Sequence, residues 1–330
     1  MKNALDKMMR VAKEYTDKIS KEDENITAVY AVGSMARGEK IYHWSDLDLR
    51  VVTEGENPCR AGEGIVLNDI LVEIGYRGSQ EFSDTRKILS DVRNYDVAFA
   101  PILFDRDGKL SEMQPLIKDE YTKLYWSIQR ALQNVKVSNL LESKVIVFLN
   151  QRNMTKVSDF LNIWLSTLCQ TIVILTNRSP SLRGLLPRFK HAVTELGQPE
   201  LYKEMLEIFG VYDKTITEVK EWFSKAEEWY KIAINDVRSL WLKSDLKPTL
   251  KRYWIEGTSH IIEQGNYKDA ALPISVILFQ LNSVFIEETS IRTYESVWME
   301  FKEWLGYSLE CVDLKYNQIC QFSQRVNIIG

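Results

Sequence analysis

The fold is decided by residues 28–52, which read AVYAVGSMARGEKIYHWSDLDLRVV. Two apolar runs lie at the ends of this stretch, and each is typical of a buried strand. Residues two apart in a strand point to the same face of the sheet. Asp46 and Asp48 are therefore predicted to project side by side, while Leu47 and Leu49 enter the core.

Two carboxylates on one strand face predict a site for a divalent metal ion. Oxygen ligands of this kind suit Mg²⁺, which commonly keeps phosphate oxygens and water molecules in its shell. Gly33 and Ser34 end the first strand. A glycine lets the backbone approach a phosphate, and the N–H groups of a following helix attract anions. Metal-binding carboxylates beside a phosphate-binding turn indicate phosphoryl or nucleotidyl transfer.

These motifs resemble the signature of the DNA polymerase beta superfamily of nucleotidyltransferases. The matching residues are Val32-Gly33-Ser34, a short connector, and then Asp46-Leu47-Asp48-Leu49. The extension Ala36-Arg37-Gly38 is similar to the form found in small-molecule and minimal nucleotidyltransferases. The resemblance implies a third carboxylate on a later strand, and Glu73, centred in the apolar run 70–74, fits that requirement. Each motif alone is common, but their order along the chain makes the match specific.

The resemblance implies that three residues are both catalytic and metal-binding: Asp46, Asp48 and Glu73. They are expected to hold two Mg²⁺ ions, of which one activates the acceptor hydroxyl and the other neutralises charge on the triphosphate. In-line displacement at the α-phosphorus then depends mainly on positioning and electrostatics.

Four further residues are expected to bind the nucleotide. Gly33, Ser34 and Arg37 are placed to grip the β- and γ-phosphates, and a guanidinium adds charge-assisted hydrogen bonds to such oxygens. The alternative for Arg37 is a surface arginine near a helix start. Ser45 precedes the metal pair, and it either orients Asp46 or caps a turn. A nucleobase could stack on Trp44, although a half-buried packing aromatic is the alternative.

The order of elements resembles the kanamycin nucleotidyltransferase branch, in which a helical bundle follows the catalytic domain. Leu141-Glu142, followed by residues 151–153, is similar to the helix that carries the catalytic glutamates of that family. Glu142 is therefore predicted to be the general base, with an ion pair or a solvent contact as the alternative. This helix is poorer in glutamate than its family counterpart, which weakens any assignment to antibiotic resistance.

The resemblance implies transfer of a nucleoside monophosphate from an NTP, expected to be ATP, to a hydroxyl of a small molecule of the aminoglycoside kind or related to it. It also implies that the protein can form a homodimer. Transfer to a protein or RNA, as in toxin-neutralising enzymes, is a second hypothesis, although those enzymes are usually the small domain alone. A non-catalytic nucleotide-binding interaction protein is a third hypothesis, and it would be favoured by a missing carboxylate.

Composition limits the other classes of function. The chain has 330 residues, 45% hydrophobic and 27% charged, with a net charge of −4. An acidic chain gives no general electrostatic reason to expect nucleic-acid binding. No transmembrane span or signal sequence is predicted, so we expect no membrane partner. Four cysteines without metal-ligand spacing predict a reduced, cytoplasmic protein.

The sequence predicts an α+β fold in three parts. Residues 1–108 form a nucleotidyltransferase domain, a small mixed sheet with helices. Residues 109–245 form an all-α helical bundle on the acceptor side, and residues 246–330 form a C-terminal helical extension. Within this plan we predict a long loop between the second and third strands, a fourth strand over 97–104, and separate helices over 115–136 and 138–151.

Overall fold

A computed structural model of the protein describes residues 2–56, 62–94, 96–236, 252–288, 293–308 and 310–329. The chain divides into two compact units, Met1–Arg130 and Ala131–Gly330. The first unit contains a five-stranded sheet with helices, and the second contains helices in its described part. The predicted α+β class is therefore confirmed. The three-part division remains a prediction, and its boundary at 245/246 falls outside the described residues.

The first unit alternates strands and helices. In chain order its elements are α1 (Lys2–Glu22), β1 (Ile26–Ala31), α2 (Gly33–Ala36), β2 (Leu47–Thr53), β3 (Glu63–Leu67), β4 (Ile70–Gly78), α3 (Thr85–Ser90), β5 (Ile102–Asp105) and α4 (Lys109–Tyr121). Short 3₁₀ turns at Ser79–Phe82 and Val92–Asn94 flank α3. Helix α5 (Leu124–Asn150) contains the boundary between the two units.

The strands are ordered β3-β4-β2-β1-β5 across the sheet. Strands β2 and β4 are parallel, and the other neighbours are antiparallel. The register of the parallel pair places Asp48 opposite Glu73. Residues directly opposite each other in neighbouring strands project to the same face. The topology thus brings together two carboxylates that are 25 positions apart in the sequence.

Each face of the sheet is covered by its own apolar cluster. On one face, Ala12 of α1 packs with Leu47 and Leu49, and all three are fully buried. The predicted inward orientation of these two leucines is therefore confirmed. On the other face, Val52 packs with Ile117 of α4. Asp48 shares this second face with Val52, because the two residues are four apart in β2.

The second unit consists of helices around one large core. In chain order they are α6 (Met154–Leu175), α7 (Leu185–Glu195), α8 (Glu200–Phe209), α9 (Ile216–Asp236), a π-helical turn (Arg252–Glu256), α10 (Gly257–Glu263), α11 (Ala271–Glu288), α12 (Thr293–Trp304) and α13 (Val312–Ile329). Buried aromatic residues from several of these helices meet in the core, among them Trp164, Phe189, Tyr230, Phe301 and Phe322. The predicted long helix over 213–243 is described only as far as Asp236.

Helix α6 is the one described helix that is long and apolar enough to cross a membrane by length and composition. In its most apolar window 67% of the residues are buried inside the protein. Trp164, at the middle of α6, is fully buried and donates a 2.8 Å hydrogen bond from its indole N–H to Ser138. This burial is what the central helix of a globular core shows.

Several predicted elements differ from the structure. The segment predicted as a long loop contains the edge strand β3. The strand was not predicted because Glu63 is exposed and has a glycine on each side, Gly62 and Gly64. The strand predicted over 97–104 corresponds to β5, which begins only at Ile102. It is shorter than predicted because Val97 and Ala98 are buried in turns that do not pair with the sheet. The predicted break near residue 137 is absent and α5 is continuous, whereas the predicted helix over 115–136 is broken at residues 122–123, between α4 and α5.

Candidate active site

Three carboxylates meet at one place on the sheet. Asp46 directly precedes β2, Asp48 lies in β2, and Glu73 lies opposite it in β4. One oxygen of each side chain lies within 4.8 Å of the corresponding oxygens of the other two. Asp46 is only 9% exposed, and Asp48 and Glu73 are half-buried. The structure therefore brings together all three residues that the sequence predicted as metal ligands.

The acidic cluster is electrostatically costly without a cation. Burial raises the pKa of the Glu73 carboxyl, and the negative charge of Asp48 raises it further, while Arg50 acts in the opposite direction. A buried carboxylate beside another carboxylate gains from a bound positive charge. The ligands offered are all hard oxygen atoms, which Mg²⁺ prefers. The cluster thus fits a divalent cation in both its charge and its ligand type.

Gly33 is packed directly against this cluster. Its φ of +68° lies in the left-handed region, which side chains other than glycine rarely adopt. A Cβ atom at this position would lie 2.1 Å from Oδ2 of Asp48. The backbone N–H of Val32 also donates a 2.9 Å hydrogen bond to the carbonyl of Asp48. Only glycine therefore leaves room for the Asp48 carboxylate in its present position.

Asp96 is a member of the site that the sequence analysis did not identify. Its carboxylate is 4% exposed and accepts a 2.8 Å hydrogen bond from the backbone N–H of Gly33. Arg37 lies 3.4 Å from the same oxygen, and it also forms a two-pronged ion pair with Glu39 at 2.8 and 3.0 Å. Asp96 thereby fixes the turn that follows β1. The available signal was a single acidic residue directly before the apolar segment Val97 to Ala100.

Arg50 is the second residue that the sequence analysis missed. It lies two positions after Asp48 and therefore on the same strand face, which was the available signal. A Cβ atom on Gly75 would lie 2.8 Å from Nη1 of Arg50, so the guanidinium lies over that glycine. The positive charge of Arg50 opposes the rise in the pKa of Glu73 that burial and Asp48 cause. Arg50 therefore supplies part of the positive charge beside the acidic cluster.

The remaining predicted nucleotide-binding residues lie in and near the connector. Ser34 is half-buried in the short helix α2. The hydroxyl of Ser45 accepts a 3.0 Å hydrogen bond from the backbone N–H of Tyr42, which is the turn-capping alternative for this residue. Trp44 stacks on Tyr42 with a centroid distance of 4.4 Å and is half-buried. The nucleotide contacts of Gly33, Ser34, Arg37 and Ser45 stay predictions.

Glu142 lies in the helical unit, on α5. It is half-buried near Tyr316 and Cys320 of α13. Burial raises the pKa of both of these side chains, and the negative charge of Glu142 raises it further. The neighbours of Glu142 in its own unit are thus a phenol and a thiol, those of Tyr316 and Cys320. Its role as the general base stays a prediction.

A cavity of about 550 Å³ lies on the first unit, away from the acidic cluster. Its lining includes Thr27 at the start of β1 and Glu54 just beyond the end of β2. Because β1 and β2 are antiparallel, these residues mark the end of the sheet opposite to Asp46. None of the predicted site residues lines this cavity.

The geometry agrees with the comparison of the chain with known proteins. Residues 12–136 match the family model described as the nucleotidyltransferase domain, a range that includes all three clustered carboxylates. No curated protein matches the sequence. Among solved structures, the chain is similar to a nucleotidyltransferase-like protein from Exiguobacterium sibiricum 255-15. The two share 14% identity at a TM-score of 0.33, over 90% of this chain and 88% of that chain.

Residues 12–136 therefore match a nucleotidyltransferase domain of the DNA polymerase beta type, as the signature residues implied. This match supports nucleotidyl transfer as the general reaction and a transferase as the class of enzyme. Such a domain uses an NTP and a divalent metal ion, for which the Asp46, Asp48 and Glu73 cluster is the candidate site.

Proposed function

We propose that the protein is a Mg²⁺-dependent nucleotidyltransferase that moves a nucleoside monophosphate from ATP to a hydroxyl of a small molecule. The observation that carries this proposal is the cluster of Asp46, Asp48 and Glu73, with ligand oxygens within 4.8 Å of one another beside Gly33. A non-catalytic role is disfavoured, because the three carboxylates that the chemistry requires are present together.

The three carboxylates are proposed to hold two Mg²⁺ ions. When bound, the metal lowers the pKa of the acceptor hydroxyl and neutralises charge on the triphosphate and on the pyrophosphate that leaves. Glu73 must be ionised to act as a ligand, and Arg50 favours that form. Gly33 keeps the space that the Asp48 carboxylate occupies.

The turn after β1 is proposed to bind the phosphates. The Ser34 hydroxyl and the Arg37 guanidinium are the candidate donors, with Ser45 supporting the strand that carries Asp46. The buried Asp96 holds the Gly33 N–H and accepts from Arg37, so it limits how far this turn can move. A preformed set of donors loses little entropy when a charged ligand binds.

The proton of the acceptor hydroxyl must be transferred to a base, and Glu142 is the proposed base. A carboxylate in a half-buried position can take a proton from a hydroxyl once that hydroxyl has been acidified. If this is its role, a Glu142→Gln variant retains NTP binding but transfers the nucleotide more slowly. An unchanged transfer rate would show that another group receives the proton.

The acceptor is proposed to be a free small molecule, either aminoglycoside-like or related. The net charge of −4 supports this class over nucleic acid. We also propose a cytoplasmic location without a membrane partner, which the free thiols of Cys169, Cys311 and Cys320 support. Homodimerisation is proposed as well, and light scattering of the purified full chain tests it directly.

The decisive experiment is a mass-spectrometric screen of the full chain. Each Mg²⁺–NTP is incubated with pooled sugars, aminoglycosides and lincosamides, and the products are examined for a monophosphate adduct together with pyrophosphate. We expect ATP to give such an adduct with a hydroxyl compound, and Asp48→Asn to give none. A parallel incubation with protein and RNA as acceptors tests the alternative, and a monophosphate adduct found only there would replace the small-molecule proposal with the toxin-neutralising type of transfer.

A further inference from the structure

The helical unit contains a cavity of its own, which nothing in the proposed transfer reaction uses. Its volume is about 380 Å³, within the range of roughly 300–1,000 Å³ that is usual for small-molecule sites. It is lined by residues of α6 on one side and of α11 and α12 on the other, including Asn162, Phe279 and Trp298. All of its lining residues belong to the second unit.

The distinctive feature of this cavity is Asn162. The residue is 8% exposed, and in the described part of the chain neither its amide nitrogen nor its amide oxygen has a hydrogen-bond partner. Both atoms are also shielded from solvent. A buried amide normally satisfies its donor and its acceptor, so an amide with neither marks a ligand site or a cost to stability. Asn162 lines the cavity, so a rotation of its amide would bring this polar edge to a ligand there.

One end of the cavity is held rigid by a buried ion pair. Asp159, one helical turn before Asn162, accepts a 3.1 Å hydrogen bond from Lys302 and a 3.2 Å hydrogen bond from the indole of Trp298. The Lys302 side chain is 1% exposed. The carboxylate and the ammonium offset each other's charge, so the wall they form favours a neutral ligand over an ion.

The facing wall is mainly apolar and aromatic. Phe279 is 37% exposed and meets Trp298 edge-to-face with a centroid distance of 5.9 Å. Leu272 and Val276 of α11 extend this surface, and Ser275 and Gln280 of the same helix add two polar side chains to the lining. A flat ring can lie against such a surface and bury its faces, while its polar edge turns towards α6.

We propose that this cavity binds a neutral, planar heterocycle whose edge carries an N–H donor next to a carbonyl acceptor, such as the imide edge of a pyrimidine base. The carbonyl accepts from the Asn162 amide nitrogen, and the ring N–H donates to the Asn162 amide oxygen. This pair of hydrogen bonds satisfies both atoms that the protein leaves unpaired, and the aromatic wall buries the ring. The site is independent of the acidic cluster and needs no metal ion.

The test measures uracil binding to the full chain in EDTA by saturation-transfer NMR and calorimetry. The matched ligand is 1,3-dimethyluracil, which has the same ring but no N–H donor. We expect saturable binding of uracil and at least tenfold weaker binding of the dimethyl compound. Equal affinity for the two ligands, or no saturable uracil binding, would overturn the proposal without any variant.

Two variants locate the site. Asn162→Leu is expected to keep or raise the melting temperature, because it removes an unpaired buried amide, and to weaken uracil binding at least tenfold. Asn282→Leu is the control: Asn282 is also a buried asparagine with an unpaired amide oxygen in the described structure, but it does not line the cavity. It should bind uracil like the wild type. Uracil binding that survives Asn162→Leu would place the ligand elsewhere and reject the assignment.

Discussion

At the scale of single residues, the candidate active site depends on a missing side chain as much as on the carboxylates present. Gly33 allows the Asp48 carboxylate to lie against the backbone, and it adopts a conformation that other residues avoid. A glycine at the end of a strand was therefore informative in the sequence for two reasons. It marks both a left-handed turn of the backbone and a close approach of a side chain to that backbone, whereas either of these alone is common.

Gly33→Ala should damage the site without unfolding the domain. The new Cβ would lie 2.1 Å from the Asp48 oxygen, so the carboxylate must move and divalent-metal affinity should fall at least about tenfold, as it does when ligand positions are disturbed. Gly38→Ala is a matched control. Gly38 has a similar φ of +62°, but a Cβ there meets nothing within 4 Å. Calorimetric titration with Mg²⁺ should find Gly38→Ala near wild type, and equal losses in both variants would mean that backbone strain alone explains the effect.

Glu73→Gln should stabilise the protein when no metal is present. The pKa of Glu73 is raised in the folded state, so its stabilising contribution is full below the unfolded value, about 4.3, and is lost as pH rises through the folded value. At pH 7 in EDTA the glutamine variant should therefore melt higher than the wild type. The difference should disappear near pH 4. Added Mg²⁺ should raise the melting temperature of the wild type more than that of the variant, and the opposite order would contradict the ligand assignment.

At the scale of secondary-structure elements, the junction between β1 and α2 positions the site. The chain leaves β1 at Val32, turns at Gly33, and is held there by a buried carboxylate that is distant in sequence, Asp96. Helix α2 is only one turn long and has no side-chain cap. Its position therefore depends on this tertiary contact more than on local helix propensity.

Asp96→Ala should destabilise the first unit by about 1–3 kcal/mol, the cost of leaving a buried donor unpaired, because the Gly33 N–H loses its acceptor. Glu39, whose side chain is 36% exposed, is the other carboxylate partner of Arg37, and Glu39→Ala should cost no more than about 1 kcal/mol. Urea unfolding of both variants measures the difference. Similar losses in the two would show that the ion pair with Arg37, and not the bond to Gly33, matters at this junction.

The elements that the sequence predicted best are those whose pattern is local. Leu47, Asp48 and Leu49 alternate between the two faces of β2, and the structure keeps that alternation. Asp96 could not be assigned this way, because its partner lies 63 positions earlier and no periodicity links the two. Strand β3 was missed because an edge strand is half-exposed and lacks a clear alternation.

At the scale of the whole molecule, the boundary between the two compact units carries no linker signal in the sequence. The two compact units meet between Arg130 and Ala131, inside the continuous helix α5. A boundary inside a helix carries no proline, glycine or polar loop to mark it. The change from a sheet to helices was visible in the sequence because it alters the hydrophobic period along the chain.

Asp48→Asn should separate the chemistry from the fold of the whole chain. The substitution removes one charged ligand but keeps the side-chain size, so pyrophosphate release should fall at least about a hundredfold, the scale on which loss of one preorganised electrostatic contact acts. Hydrogen exchange of the full chain supplies the structural readout. In the wild type, Mg²⁺ should slow exchange at the start of β2 and in the middle of β4, and this protection should be lost in the variant.

The control for this prediction is Asp69→Asn, which changes an exposed aspartate in the turn between β3 and β4. Asn tolerates the left-handed conformation that Asp69 adopts, with a φ of +63°, so the turn should be kept. Exchange in α6, α7 and α8 should be the same in all three proteins, because their core lies within the second unit. Wild-type turnover in Asp48→Asn, with β2 and β4 still protected by Mg²⁺, would mean that the catalytic carboxylates lie elsewhere in the chain.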